Sequence, residues 1–265
     1  MIRLTTPLLL DSADEQELSA IQQAIDSGVD YPTRVGLAAQ KWKTKPVFLF
    51  QRVRQALEVT CLGALRCSYC EDSLADEIEH IRPKSWFPEQ TFDLSNYLFA
   101  CGPCNGPKSS SYAAVNHAGQ LLLALRTKNS PLVPPPIGQE ALLHPWHDEP
   151  ADFFFLDLTN TFEFKPRQSL NAHQNARALY TLQVLRINKD PLLKARKEAF
   201  YDFAGRLKSY YLASQNNDPL PHLQLMRDEL LRKQHITVWR EMQRQSATLT
   251  LLAPLFQLVP GAESW

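Results

Sequence analysis

The sequence predicts a mainly α-helical chain with a small cysteine-clasped segment embedded in its first half. Three observations carry this. Only 9 of 265 residues are Gly while 19 are Pro, which suits helices broken by proline-stiffened connections. Apolar residues recur at helical spacing in stretches such as NARALYTLQVLRI. Four of the five cysteines stand in two CxxC pairs, Cys67/Cys70 and Cys101/Cys104.

The elements follow in chain order. SADEQELSAIQQAIDSG predicts a helix with Ser12 as N-cap, acids in its first turn and Gly28 just past its end. A second helix is expected from Pro46 to Gly63. Between Tyr31 and Leu57 stand Arg34, Lys41, Lys43, Lys45, Arg52 and Arg54 with no acid, interleaved with Tyr31, Trp42, Phe48 and Phe50. Such a run is either a solvated helix face or a phosphate-contacting surface. On the second reading Lys41, Lys43 and Lys45 bind nucleic acid.

Residues 1–64 thus form a helical lead-in, 65–128 a cysteine block, and 140–265 a further region beyond the proline-rich link NSPLVPPPIGQ. In that region FFFLDLTNTFEF predicts a hairpin turning near Thr159–Asn160. A helix over NARALYTLQVLRI is followed by one with Asp190 as N-cap and Pro191 as N1. A third is expected from Pro221 to Ser246. The tail TLTLLAPLFQLVPGAESW is apolar but too broken by proline for a helix in the body of the core. It packs on its own domain or fills a groove on another chain.

Lys+Arg and Asp+Glu both number 28. No global field therefore steers the chain to nucleic acid, and any such binding must come from local patches. The start, MIRLTTPLLLDSADEQ, has too short an apolar run for a signal peptide, and no stretch is suited to span a bilayer. A cytoplasmic chain with no membrane role is expected. In that compartment CxxC pairs more often mean metal or redox chemistry than disulfides.

A CxxC sets two thiolates on one tight turn, and two such turns make a tetrahedral cage suited to Zn²⁺. Metal binding then supplies folding energy, on the order of 10–16 kcal/mol for small zinc modules. The redox reading is weaker, because two CxxC pairs flanking a polar loop lack a βαβ context. Cys61 is expected to be a buried thiol.

Between the pairs lies EIEHIRPKS. Glu79 and His80 are adjacent, and adjacent strand residues face opposite sides. They can serve one site only at a bend or strand end, and Pro83 limits the strand. Glu77 is a solvated acid or a partner behind the site, the first reading being simpler. Asn96 precedes YLFACGPCN, and Asn105 directly follows the last cysteine, where it can also act as a helix N-cap.

EIEHIRPKS and NYLFACGPCNGPK together resemble the HNH, or ββα-metal, nuclease motif from Glu77 to Lys108. That motif has acid–His at the end of a first strand, a middle Asn, and an Asn after the second CxxC at a helix start. The resemblance implies a fold that is mainly α with an embedded small ββα-metal (HNH) motif clasped by a four-cysteine zinc knuckle. It implies His80 as general base, its ring oriented by a backbone carbonyl or by Asn96. Glu79 and Asn105 would hold a catalytic Mg²⁺ or Mn²⁺. Arg82, Lys84 and Lys108 would contact phosphates flanking the scissile one. Glu stands here where Asp is commoner, and Asn where His is common, which leaves the ion's identity open.

More loosely, RCSYCE, LLHPWHDEP and RALYTLQVLRINKDPLLKAR extend the similarity to the PtuB-type HNH proteins of Septu and retron anti-phage systems. This implies an ABC/SMC-type (PtuA-like) ATPase partner. In the retron version it implies a reverse transcriptase with its small DNA–RNA product (msDNA). DNA or host tRNA would be the target, with activity restrained by partner subunits. The region after Asn171, tail included, would dock the partner. Two other classes stand beside this one. The first is a zinc-stabilised nucleic-acid- or protein-binding subunit with an inactive HNH remnant, which the retained His80 disfavours. The second is a restriction-type enzyme, for which no base-reading module is seen. His117, His144 and His147 lie outside the motif, and HPWHDEP reads as a structured turn rather than a second metal site.

Overall fold

The computed structural model describes every residue except Leu62, Ala64 and Lys128; the expected boundaries at 64 and 128 therefore lie outside the described residues. Helices make up about half of the chain, and the strands form small separate sheets. No helix among the described residues is long and apolar enough to cross a membrane.

The lead-in folds as α1 (Ser12–Asp26), α2 (Tyr31–Lys43) and α3 (Val47–Thr60). The cap of α1 is Asp11 rather than Ser12: its carboxylate accepts from the Asp14 N–H at 2.8 Å. Asp30 caps α2 in the same way through Thr33 N–H, so the basic run falls on two helices separated at Thr44–Pro46. Leu18 and Ile25 of α1, Ala38 of α2, and Leu49, Phe50, Val53 and Leu57 of α3 bury one shared apolar cluster. Each large apolar side chain so removed from water contributes about 1.5–3 kcal/mol.

Next come β1 (Glu77–His80), β2 (Tyr97–Ala100) and α4 (Gly102–Lys108). The strands pair antiparallel, with Glu77 opposite Ala100 and His80 opposite Tyr97. Side chains alternate across this ribbon. Tyr97, Phe99 and Ile78 join the lead-in cluster, whereas Leu98 and Ala100 join a larger one. A sheet absent from the sequence reading follows, with β3 (Tyr112–Val115) between β4 (Leu121–Ala124) and β5 (Gln139–Glu140).

The larger cluster joins Ile2 and Leu4 near the start, the cysteines, and the helices of the second half. After the short α5 (Pro150–Phe153), the expected hairpin is β6 (Phe154–Leu156) with β7 (Phe164–Pro166). Asp157 closes its turn by accepting from the N–H groups of Thr159 and Asn160. Then come α6 (Ala172–Leu185) and α7 (Asp190–Gln215). The residue preceding α7 is Lys189, which makes no side-chain cap, so Asp190 and Pro191 sit inside the first turn.

The single helix expected over 221–246 is two, α8 (Leu220–Leu231) and α9 (Ile236–Gln245). The break has a physical reason. His235 is left-handed at φ +57°, and its ring is held by Asp72 at 3.1 Å. Thr237 N–H also donates to Glu71 at 3.0 Å, which ties α9 to the first cysteine turn.

The tail corrects another expectation. It forms α10 (Ala253–Leu258), and Leu252, Leu255, Phe256, Val259 and Ala262 are buried in the chain's own core. Phe256 stacks on Trp239 at 5.5 Å, and Trp265 lies 4.8 Å from Tyr210. Pro254 falls in the first turn of α10, where a missing N–H costs nothing. The prolines therefore bound a short helix instead of forbidding one.

Candidate metal centre and adjoining cleft

The four paired cysteines are all buried, and their Sγ atoms lie within 4.8 Å of one another. None is in a disulfide. Cys67 and Cys70 sit on a turn closed by Glu71 N–H to the Cys67 carbonyl at 2.8 Å. Cys101 directly follows β2, and Cys104 lies in the first turn of α4. Zn–S bonds of about 2.3 Å in a tetrahedron place sulfurs about 3.8 Å apart. Cys70 and Cys101 are separated by 3.8 Å, so the donor set fits. The four thiols compete for protons: contact with Cys101 first lowers the Cys70 thiol and raises that of Cys104. A metal ion resolves that competition, since all four can then be thiolates. Four such buried cysteines can bind a structural metal such as zinc. Cys61 stands apart, half-buried, with burial raising its thiol to about 11.

Beside this knot, α2 and the β1–α4 unit enclose a cleft of about 370 Å³ lined by Trp42, Glu79, His80, Lys84 and Asn105 among others. Glu79 and His80 point to opposite faces of β1, yet both reach the cleft because His80 is the last strand residue. His80 is only 5% exposed. One ring nitrogen lies 3.0 Å from the Thr91 carbonyl oxygen. The ring meets Trp42 edge-on at 4.3 Å and Tyr97 at 5.2 Å. Burial first, and then the charge of Lys84, push its pKa down to about 3. His80 is therefore neutral near pH 7, with a free lone pair on the ring nitrogen that does not face Thr91, and burial makes it a weaker base than a free imidazole.

Glu79 faces α4 and forms an ion pair with Lys108. Burial raises its pKa, and Lys108 opposes that shift. Asn105 donates from Nδ2 to Glu77 Oε2 at 2.6 Å. The cap of α4 is Cys101, so Asn105 is not an N-cap, and Glu77 is not a solvated acid. Asn96 does not orient His80. Its amide accepts from Arg82 N–H at 2.8 Å and donates to the carbonyls of Arg82 and Gln90, both at 3.0 Å. It clamps the inter-strand loop that carries Thr91, and that carbonyl holds the ring.

The expected phosphate contacts divide. Lys84 lines the cleft, 5.4 Å from the Trp42 ring, and Lys45 lies 4.6 Å from the same ring. Burial lowers both their pKa values. No carboxylate among the described residues forms an ion pair with either. Lys108 is 1% exposed and donates to the His80 carbonyl at 2.8 Å. It sits on the inner face of α4 and cannot meet a phosphate. Arg82 turns away from the cleft to Glu140 at 3.0 Å. Lys41 and Lys43 lie in the last turn of α2 and do not line the cleft.

Trp42, Glu77 and Thr91 are the participants that sequence reasoning did not assign. Trp42 was visible only as an aromatic residue within the basic run. Glu77 had a signal, its two-residue offset from Glu79, and Thr91 acts through its backbone and had none. HPWHDEP forms a turn, with the His147 and Asp148 N–H groups donating to the His144 carbonyl. No family model matches this chain, and no curated protein matches it.

Proposed function

We propose that this chain is a metal-dependent nuclease of the HNH type that hydrolyses phosphodiester bonds in DNA or in tRNA. The observation that carries this reading is the convergence of His80, Glu79, Asn105 and Lys84 on one cleft beside the four-cysteine knot. Zinc in the knot would hold the ribbon and α4 together. Glu79 and Asn105 are hard oxygen donors that suit Mg²⁺ or Mn²⁺, and such an ion would supply Lewis-acid stabilisation of phosphate charge.

This chain's own groups supply the rest. Neutral His80 takes the proton from the attacking water as the oxygen–phosphorus bond forms and the bond to O3′ breaks, and O3′ keeps the electron pair of that bond and is protonated by solvent. That role uses the ring nitrogen not engaged by Thr91. Lys84 and Lys45 would attract the phosphates, since neither forms an ion pair with a carboxylate among the described residues. Lys108, bound to the His80 carbonyl, fixes the end of β1.

The sequence resemblance supports a place in an anti-phage system of Septu or retron type. There an ABC/SMC-type ATPase, and in the retron case a reverse transcriptase with its msDNA, would be the partners. Because the tail packs in the chain's own core, docking would use another surface of the second half. A second reading is favoured by the covering of His80 by Trp42: a zinc-stabilised nucleic-acid- or protein-binding subunit whose HNH remnant is inactive. Incubating the purified zinc-loaded chain, alone and with its genomic neighbours, with DNA and total RNA in Mg²⁺ or Mn²⁺ separates the two. Cleavage supports the nuclease. Binding without cleavage under every condition supports the second reading.

A further inference from the structure

The amide of Asn105 has two edges with opposite chemistry, and only its carbonyl edge can ligate a cation. Glu77 settles which edge faces where. A carboxylate only accepts hydrogen bonds, so the edge 2.6 Å from Glu77 Oε2 must be Nδ2. The carbonyl Oδ1 is then on the other edge of a residue that lines the cleft.

Two further features show that this contact is built into the fold. Glu77 and Glu79 share a face of β1, while Gly102, Asn105 and Lys108 recur at three-residue steps along α4. The strand's i, i+2 spacing and the helix's i, i+3 spacing thus pair Glu77 with Asn105 and Glu79 with Lys108. Gly102 leaves the room this needs: a Cβ there would come within 3.3 Å of Glu77 Oε1. Moreover, no Lys or Arg among the described residues forms an ion pair with Glu77. A half-buried acid serving only to clasp α4 would gain more from a cation than from a neutral amide.

We infer that Glu77 is a positioning residue, which locks the Asn105 amide with its carbonyl oxygen toward the cleft and so prepares a ligand for the catalytic divalent ion. The inference rests on the nuclease reading above. Loss of an outer-shell partner of this kind typically weakens metal affinity about 10–100-fold. Glu77→Ala frees the amide to rotate. Glu77→Gln keeps an accepting oxygen for Nδ2 and should restore most of the order.

The test is Mn²⁺ binding by the full zinc-loaded chain without nucleic acid, followed by the electron paramagnetic resonance of free Mn²⁺. Zinc content serves as the check on folding. The expected result is one Mn²⁺ per wild-type chain, about 10–100-fold weaker binding by Glu77→Ala, and less than about tenfold weakening by Glu77→Gln. Should Glu77→Ala lose its zinc, Glu77→Leu takes its place, since it fills the strand position and cannot accept. Wild-type affinity in the variant that cannot accept overturns the inference alone. Equal weakening by Glu77→Gln also overturns it, because Glu77 then acts by charge or as a direct ligand. A wild-type chain that binds no Mn²⁺ removes the catalytic-ion reading and this inference together.

Discussion

Glu79 and His80 are neighbours in the chain but belong to opposite faces of β1. The face bearing Glu77 and Glu79 meets the polar side of α4, where Asn105 and Lys108 supply a partner for each acid. The face bearing Ile78 and His80 meets aromatic side chains, Trp42 and Tyr97 among them. Burial drives both ionisable groups toward their neutral forms, raising Glu79 and lowering His80. Only the acid face carries a compensating charge. One face is thus arranged to hold charge and the other to keep a base uncharged. The cleft lies where the two meet, at the strand end.

The four-cysteine knot adjoins both faces of β1, and the largest effect is expected there. If the four cysteines hold zinc, stripping it, or Cys104→Ser, should unfold the ribbon and α4, because structural zinc is worth on the order of 10–16 kcal/mol in small modules. Metal analysis with near-UV circular dichroism checks this. A folded Cys104→Ser chain without metal would separate the knot from the stability of both faces.

The acid face breaks next. Lys108→Ala leaves Glu79 buried without its cation and should cost about 3–5 kcal/mol in denaturant melts. The double variant Lys108→Met with Glu79→Gln removes both charges and should lose much less. Equal losses in the two proteins would show that Lys108 acts through packing, not charge.

The smallest effect sharpens the boundary of the cleft. Lys45→Ala with Lys84→Ala should reduce the salt slope of nucleic-acid binding by about 1.4–1.8, for two lost phosphate contacts. Lys41→Ala with Lys43→Ala should leave it unchanged, since neither residue lines the cleft. Binding titrations across salt concentrations read both, and a reversed order would move the nucleic-acid surface to the outer side of α2.

The sequence made the cysteine knot visible because its chemistry is local: two CxxC turns can close on one point wherever the chain between them runs. The strand–helix order around Glu79 and Asn105 was implied by the motif resemblance. Side chains that are functional by type and structural by position were not. Lys108 has the chemistry of a phosphate contact, but its place on the inner face of α4 makes it a counter-ion. Trp42 arrives over His80 through the packing of α2 on α1 and on the inter-strand loop, contacts that no local pattern encodes. The tail misled because proline was weighed as a helix breaker, whereas Pro254 stands in the first turn of α10. Its apolar residues found their partners in Trp239 and Tyr210 of the same chain.

On the nuclease reading, the aromatic face of β1 presents a catalytic base. Its most direct measurement is the cleavage rate of zinc-loaded His80→Ala beside wild type, on whichever nucleic acid the wild type cuts, with zinc and Mn²⁺ content determined on the same samples. A loss of about 10²–10⁴-fold with both metals retained is expected. A His80→Ala chain that cuts at the wild-type rate with both metals bound would contradict it.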